Sequence, residues 1–351
     1  MPGVWSQLPQ ITDYPAHLEA AWQQHLAPRE PDAPTVISTF AGAGGSSLGY
    51  SMAGYRELLA VEWDNNAVET FRLNFPSVPV YHGDIAKLSV EECMKLAGLT
   101  GPRQLDVFDG SPPCQGFSTA GKRIMDDPRN QLFREYVRLL RGLQPKVFVM
   151  ENVSGMVKGK MKLIFADILR ELKASGYVVS ARLLNAMWFG VPQSRQRMIF
   201  IGVREDLEIA PSHPKAESRP VTSGQAIMNC HGKPLGKPTL AVRKVAHRIL
   251  PGHSADEHLP QKTAFSVIRL DVKRPAPAIT KSLAGMSGIL QPEGSNYLNE
   301  SQLKALASYP SQFAMIGTGA KRWARIGNSV PPLFMRAIAR HIRQTVLDHG
   351  R

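Results

Sequence analysis

Cysteine is scarce in this chain: three residues in 351, Cys93, Cys114 and Cys230, with no CxxC spacing. That argues against a disulfide framework and a cysteine zinc site, and it predicts a reducing, cytoplasmic setting with no metal. No apolar run approaches the roughly 18–20 residues that cross a bilayer, so no membrane partner is expected. The start, Met1-Pro-Gly-Val-Trp-Ser-Gln7, lacks the charged head and apolar middle of a secretory leader. Acid is also short. Twenty-nine Asp+Glu face 42 Lys+Arg, a formal net charge of +13, and such an excess points to a polyanionic partner. Internal repeats and low-complexity tracts are missing too. The rest, 43% hydrophobic and 20% charged, describes a folded chain long enough for a principal core and a smaller satellite.

What is present alternates between strands and helices. A helix over Tyr14–Leu26 precedes an apolar strand at 35–40. That strand runs into Ala41-Gly-Ala-Gly-Gly-Ser-Ser-Leu-Gly49, where glycines allow a tight turn and a following helix points its positive end at a ligand. A second strand, 57–61, ends in Glu62-Trp63-Asp64. Glu62 lies twenty residues after Gly42, where nucleotide-binding βαβ units place the acid that holds ribose hydroxyls. The loop is not a strict GxGxxG, since Ser47 takes the third position. That departure suggests a nucleoside without phosphates. Trp63 could stack on an adenine or simply cap the core.

A short strand at 78–81 leads to Gly83-Asp84-Ile85, and a helix spans 89–97. The next strand carries Leu105, Val107 and Phe108 and halts at Gly110, Pro112 and Pro113. This turn presents Cys114 at a strand's carboxyl end, where open α/β sheets put their ligands. A lone cysteine is ordinarily a small buried hydrophobe. Two prolines before it and a polar, basic loop behind it (Gly116, Ser118, Gly121, Lys122, Arg123) make it a candidate nucleophile. A helix at 130–142, a strand at 146–150 running into Glu151-Asn152-Val153, a helix at 160–174 and strands at 177–184 and 197–203 complete the pattern. An α/β fold with a mostly parallel sheet, covered on both faces, is the expectation.

From about 204 the texture changes. Residues 204–281 hold 13 Lys+Arg against 7 Asp+Glu, with five of the ten histidines and no metal-ligand spacing. Four segments are therefore expected: an extension at 1–33 packed on the core, a main domain at 34–203, a loop-rich basic domain with its hinge at 204–300, and a segment at 301–351. That last segment carries helices near 300–307 and 333–346 and returns to the main domain.

Seven motifs in order give this chain a strong resemblance to the DNA (cytosine-5) methyltransferases, in particular the compact prokaryotic restriction–modification type. They are Phe40-Ala-Gly-Ala-Gly-Gly, Glu62-Trp63-Asp64, Gly83-Asp84-Ile85, Pro112-Pro-Cys-Gln115, Glu151-Asn-Val153, Gln193-Ser-Arg-Gln-Arg197 and Gly327-Asn-Ser-Val-Pro331. The resemblance implies a Rossmann-like core and S-adenosylmethionine as methyl donor. Phe40, Gly42, Gly44, Gly45, Glu62, Trp63, Asp84, Ile85, Pro113, Leu132, Asn328 and Val330 would contact the donor. The substrate would be a cytosine flipped out of double-stranded DNA.

Carbon 5 of cytosine is too poor a nucleophile to attack a methyl sulfonium unaided. Addition of a Cys114 thiolate to carbon 6 would supply the missing electron density. Glu151 resembles the acid that serves ring nitrogen 3, a task that requires a raised pKa. Arg195 resembles the residue that binds the cytosine carbonyl oxygen, and Arg197 is expected to order the pocket. Gln115, Ser118, Lys122 and Arg123 would meet DNA, with base reading assigned to 204–281. A monomer is expected, with any cognate restriction endonuclease acting on the same site without a stable complex. The alternatives are a tRNA cytosine-5 methyltransferase, a catalytically silent DNA-binding relative, and a nucleotide-dependent oxidoreductase. The last leaves the cysteine and the later motifs unexplained.

Overall fold

A computed structural model describes residues 7–113, 131–157, 161–259, 266–283 and 287–349. Its elements in chain order begin with α1 (Tyr14–Leu26), β1 (Thr35–Thr39), α2 (Gly45–Met52), β2 (Arg56–Glu62), α3 (Asn65–Asn74), β3 (Val80–His82), α4 (Val90–Leu96) and β4 (Val107–Gly110). Next come α5 (Gln131–Leu143), β5 (Val147–Val153), α6 (Met161–Lys173), β6 (Tyr177–Asn185), β7 (Gln193–Ser194) and β8 (Gln196–Arg204). The remainder holds α7 (Ser223–Ile227), α8 (Leu240–Val245), β9 (Ser266–Arg269), β10 (Ala276–Pro277), β11 (Ser287–Leu290), α9 (Glu300–Leu306), α10 (Gly319–Asn328) and α11 (Pro332–Ile342).

Two compact units share these elements. One comprises Gln24–Leu184, Gln196–Lys215 and Met335–Arg351. It carries a seven-stranded sheet ordered β3-β2-β1-β4-β5-β8-β6. Strands β3 to β5 are parallel, and β8 runs antiparallel to β5. Successive strands step one way from β1 to β3 and the other way from β4 to β5. The reversal lies between β1 and β4, the place where open α/β sheets bind ligands. β1 runs out into the glycine loop there, and β4 into Pro112 and Pro113.

Helix α5 shows why this unit folds. Phe133, Tyr136, Val137, Leu140 and Leu143 recur at helical spacing and are all buried, giving a stripe that must cover a sheet face. They pack with Phe108, Phe148, Met150 and Phe200 of the strands and Ile164, Ile168 and Leu172 of α6 in one core. The Tyr136 hydroxyl donates to the Val149 carbonyl at 3.1 Å. From Met335 onward α11 belongs to this unit, where the Tyr55 hydroxyl donates to the Ala339 carbonyl at 2.9 Å.

The other unit comprises Met1–Gln23, Asn185–Arg195 and Ala216–Phe334. Two small parallel pairs, β7 with β10 and β9 with β11, supply its strands. Its helices α7, α8 and α9 are short, seven residues or fewer. Helix α10 was not apparent from the sequence: only Trp323, Ile326 and Gly327 are buried among Lys321, Arg322 and Arg325. It is capped by the Thr318 side chain, which accepts from the Lys321 amide. The expected helix at 333–346 starts as α11 but passes into a wider turn over Arg343–Leu347. The expected strand at 78–81 lies slightly later, at Val80–His82.

Candidate active site

The glycine loop is shaped by a single carboxylate. Phe40 and Gly42 have φ of 55° and 57°, so the chain turns sharply as it leaves β1. Glu62 at the end of β2, itself buried, accepts from the Gly42 amide at 2.8 Å through one oxygen. Its other oxygen accepts from the amides of Trp63 and Asp64, each at 2.9 Å. Gly44, with φ of 92°, precedes Gly45 at the start of α2. A Cβ placed on Gly42 would find no atom within 4 Å, so the loop's outer side is open to a ligand.

The other expected donor-binding residues of the unit differ in exposure. Trp63 is 78% exposed, which removes the core-cap reading and leaves the indole face open. Asp84 is exposed and caps the following turn, accepting from the Ala86 amide at 3.0 Å. Ile85 is buried. Leu132 is half-buried and packs on the core, and Pro113 is exposed. Asn328 and Val330 belong to the other unit, Asn328 as the exposed last residue of α10 and Val330 buried just beyond it.

Cys114 itself, with Gln115, Ser118, Lys122 and Arg123, lies outside the described residues. The approach to it is described. The Pro112 carbonyl accepts from the buried Asn152 side chain at 3.3 Å, tying the turn before Cys114 to the strand that carries Glu151. Of the described thiols, Cys93 is fully buried, and burial pushes it up to about 12. Cys230 lies half-buried in the other unit and is also raised by burial. Neither is poised as a thiolate.

Glu151 meets Arg197. Strands β5 and β8 pair with Val153 opposite Arg197 and Glu151 opposite Ile199, so both side chains share a face and meet diagonally. Arg197 Nε lies 2.6 Å from Glu151 Oε1, with only 16% and 13% of the two side chains exposed. Arg195 has other partners. It is buried in the other unit and donates to the Ile279 carbonyl at 2.8 Å and to the Gly327 carbonyl at 3.0 Å. Alternation along a strand sends neighbours at odd and even positions to different surroundings, but here residues two apart diverge, because the chain passes between units after Arg195. The spacing Gln193-Ser-Arg-Gln-Arg197 could not reveal that.

Two further acids were missed. Asp109 on β4 is buried; Glu57 on β2 is half-buried, its carboxylate turned inward to the Ser47 hydroxyl of α2. The Tyr50 hydroxyl donates to Asp109 at 3.3 Å, and the Ser47 hydroxyl to Glu57 at 2.9 Å. Burial raises Asp109 well above the usual carboxylate range, with the nearby Glu57 adding to it, and burial lifts Glu57 to about 7. The one available signal was an acid inside the apolar run Val107-Phe108-Asp109. Among the described residues no group of three or more His, Cys, Asp or Glu gathers where a metal ion could be held.

Comparison with known proteins gives this geometry a family. The family profile for C-5 cytosine-specific DNA methylases matches residues 34–344. A Type II methyltransferase of Haemophilus parahaemolyticus is 34% identical over 325 residues, covering 87% of this chain and 85% of that protein. Another, from Xanthomonas oryzae pv. oryzae, is 31% identical over 364 residues, covering 89% and 85%. Among solved structures, a DNA modification methyltransferase encoded within an E. coli prophage superposes with a TM-score of 0.74 at 24% identity. That match covers 90% of this chain and all of the other, and it supports the α/β fold.

Proposed function

The chain belongs to the C-5 cytosine-specific DNA methylases, and from that premise we propose its reaction in residue terms: methylation of carbon 5 of a cytosine turned out of a specific duplex sequence, through a covalent adduct of Cys114 with carbon 6. The observation that carries this reading is the convergence at the sheet's reversal. The glycine loop leaves β1, the turn before Cys114 leaves β4, and the Glu151–Arg197 pair closes the next strand.

The residues present fit S-adenosylmethionine. Glu62 keeps acceptor capacity for ribose hydroxyls beyond the three amides it holds, Trp63 offers an open indole face for the adenine, and Gly42 leaves room for close approach. When bound, that donor supplies an electrophilic methyl group. Everything else falls to the chain. The Cys114 thiolate adds to carbon 6, and electron density moves to carbon 5. Glu151 protonates or hydrogen-bonds ring nitrogen 3 as the charge develops. Carbon 5 then takes the methyl group, with S-adenosylhomocysteine as the leaving group; its proton passes to solvent, the freed electron pair re-forms the ring double bond, and the carbon–sulfur bond breaks to return the Cys114 thiolate.

The different partners of the two arginines support different roles for them. Arg197, beside Glu151, is proposed to bind the cytosine carbonyl oxygen. Arg195 is proposed to position the end of α10, at Gly327 and Asn328. Extruding the base costs a few kcal/mol, to be offset by contacts to DNA that include Ser118, Lys122 and Arg123. Bisulfite sequencing of duplex DNA incubated with the protein and S-adenosylmethionine tests the proposal. Protection of cytosines at one sequence is expected. No protection with the wild type, or equal protection with Cys114→Ala, contradicts it.

A further inference from the structure

Arg138 stands on α5 between the buried Val137 and Leu139, and the chemistry proposed above makes no use of it. Its Nη2 donates to two backbone carbonyls, that of Ile85 at 3.1 Å and that of Leu88 at 2.7 Å. Its Nε pairs with the Glu135 carboxylate, one helical turn earlier, at 2.6 Å. Acid and carbonyls thus hold two sides of one planar fork, which fixes the plane of the guanidinium. A lysine would bring the charge without the fork.

The two carbonyls bracket a single turn, Ile85–Lys87, between β3 and α4. Asp84 caps the turn at its start, and at its end the Leu88 amide donates to the Ile85 carbonyl at 3.2 Å. So short a helix has too few internal bonds to hold its own geometry. Asp84 and Ile85 therefore take their place from their neighbours. Upstream, the Gly83 amide donates to the Glu62 carbonyl at 3.1 Å, which joins the turn to the end of β2. Downstream, α4 lies so close to α5 that a Cβ on Gly142 would stand 2.4 Å from the Val90 side chain. Beneath, Ile85 and Leu88 are 4% and 0% exposed and packed in the core. Arg138 grips the backbone of the turn itself, at both ends.

We propose that Arg138 is a positioning residue for the methyl donor: through the Ile85 and Leu88 carbonyls it sets the Asp84–Ile85 turn where the adenine binds, without touching the methyl donor. This rests on the reading that S-adenosylmethionine is the methyl donor and that this turn meets its adenine.

The test uses the full chain. Dissociation constants for S-adenosylmethionine and for adenosine are measured by calorimetry for the wild type, Arg138→Met and Arg138→Lys. Single-turnover methylation of a duplex carrying the site mapped by bisulfite sequencing is followed at saturating methyl donor. Arg138→Met keeps the apolar stem and removes every N–H. It is expected to weaken both ligands by the same factor, about tenfold or more, because the loss falls on the adenosine half they share. The saturated single-turnover rate is expected to stay within about twofold of wild type, as for a change confined to binding. In a chain already carrying Asp84→Ala, which removes the cap of the turn, Arg138→Met is expected to cost less than about threefold, since residues that act through one element are not additive. Unchanged affinity in a folded Arg138→Met chain, a loss that appears in the saturated rate instead, or a loss that multiplies in full on Asp84→Ala overturns the inference. Should Arg138→Met fail to fold, Arg138→Lys decides: it keeps the charge and one carbonyl bond, and wild-type affinity in that variant overturns the inference, whereas a loss of about threefold or more in both ligands supports it. A wild type that does not bind S-adenosylmethionine fails the functional reading itself, and this inference with it.

Discussion

Arg197 Nε stands 2.6 Å from Glu151 Oε1, whereas Arg195, two residues earlier, directs its guanidinium at the carbonyls of Ile279 and Gly327. One arginine therefore meets the acid proposed to serve the base, and the other holds backbone. Substitution separates them. Arg197→Ala is expected to lower single-turnover methylation by 10²-fold or more while leaving the melting temperature close to that of the wild type. Arg195→Ala strands two buried carbonyls, at about 1–3 kcal/mol each, and is expected to show chiefly as lost stability in thermal denaturation. Reversed effects would support the roles the sequence suggested for the two.

Glu62 accepts three backbone amides that shape the glycine loop. Glu62→Gln replaces one acceptor oxygen by an NH2 group that must face a donor. Affinity for S-adenosylmethionine, measured by calorimetry, is expected to fall at least tenfold. Trp63→Ala removes an exposed indole whose stacking on a base is worth about 1–3 kcal/mol. It too is expected to weaken binding of the methyl donor, while stability hardly changes because the side chain is 78% exposed.

Glu57 gives a pH signature. Burial lifts its carboxyl from 4.5 to about 7 in the folded chain, so across that window the unfolded chain has released a proton that the folded chain still holds. Stability from this group therefore falls as pH rises from about 4.5 to 7, and levels off above. The total is on the order of 3 kcal/mol. Glu57→Gln cannot ionise. In urea titrations its stability relative to wild type is expected to improve by about that amount between pH 4 and pH 8. A constant difference would mean that Glu57 ionises normally.

Gly327 is fixed by contact. A Cβ there would lie 2.2 Å from the Thr280 carbonyl oxygen, and the Trp323 indole donates to that same oxygen at 3.0 Å. Gly327→Ala must push α10 away from residue 280. Overpacking of this kind costs about 1–3 kcal/mol, measurable as a lowered denaturation midpoint.

The alternating strands and helices were legible because each strand of the parallel sheet is a short apolar run ending in glycine, proline or an acid. Residues 35–39 and 147–150 are buried throughout and read that way. Helix α1 matches its expected bounds because Tyr14, Leu18, Ala21 and Trp22 keep helical spacing. Helix α10 stayed hidden because its cationic positions outnumber the large apolar ones it buries. The Glu57 and Asp109 carboxyls escaped because local sequence does not show that strands far apart in the chain bring two acids to one helix. The different partners of Arg195 and Arg197 were hidden for a similar reason: they depend on where the chain crosses between units.

The central claim is a bond between Cys114 Sγ and carbon 6 of cytosine. A duplex carrying 5-fluorocytosine at the mapped target position, incubated with the protein and S-adenosylmethionine, blocks loss of the carbon 5 substituent and so arrests the adduct. Peptide mass spectrometry of the trapped complex is expected to place the nucleotide on Cys114. Attachment at Cys93 or Cys230, or no adduct from a preparation that methylates the ordinary duplex, would contradict the account.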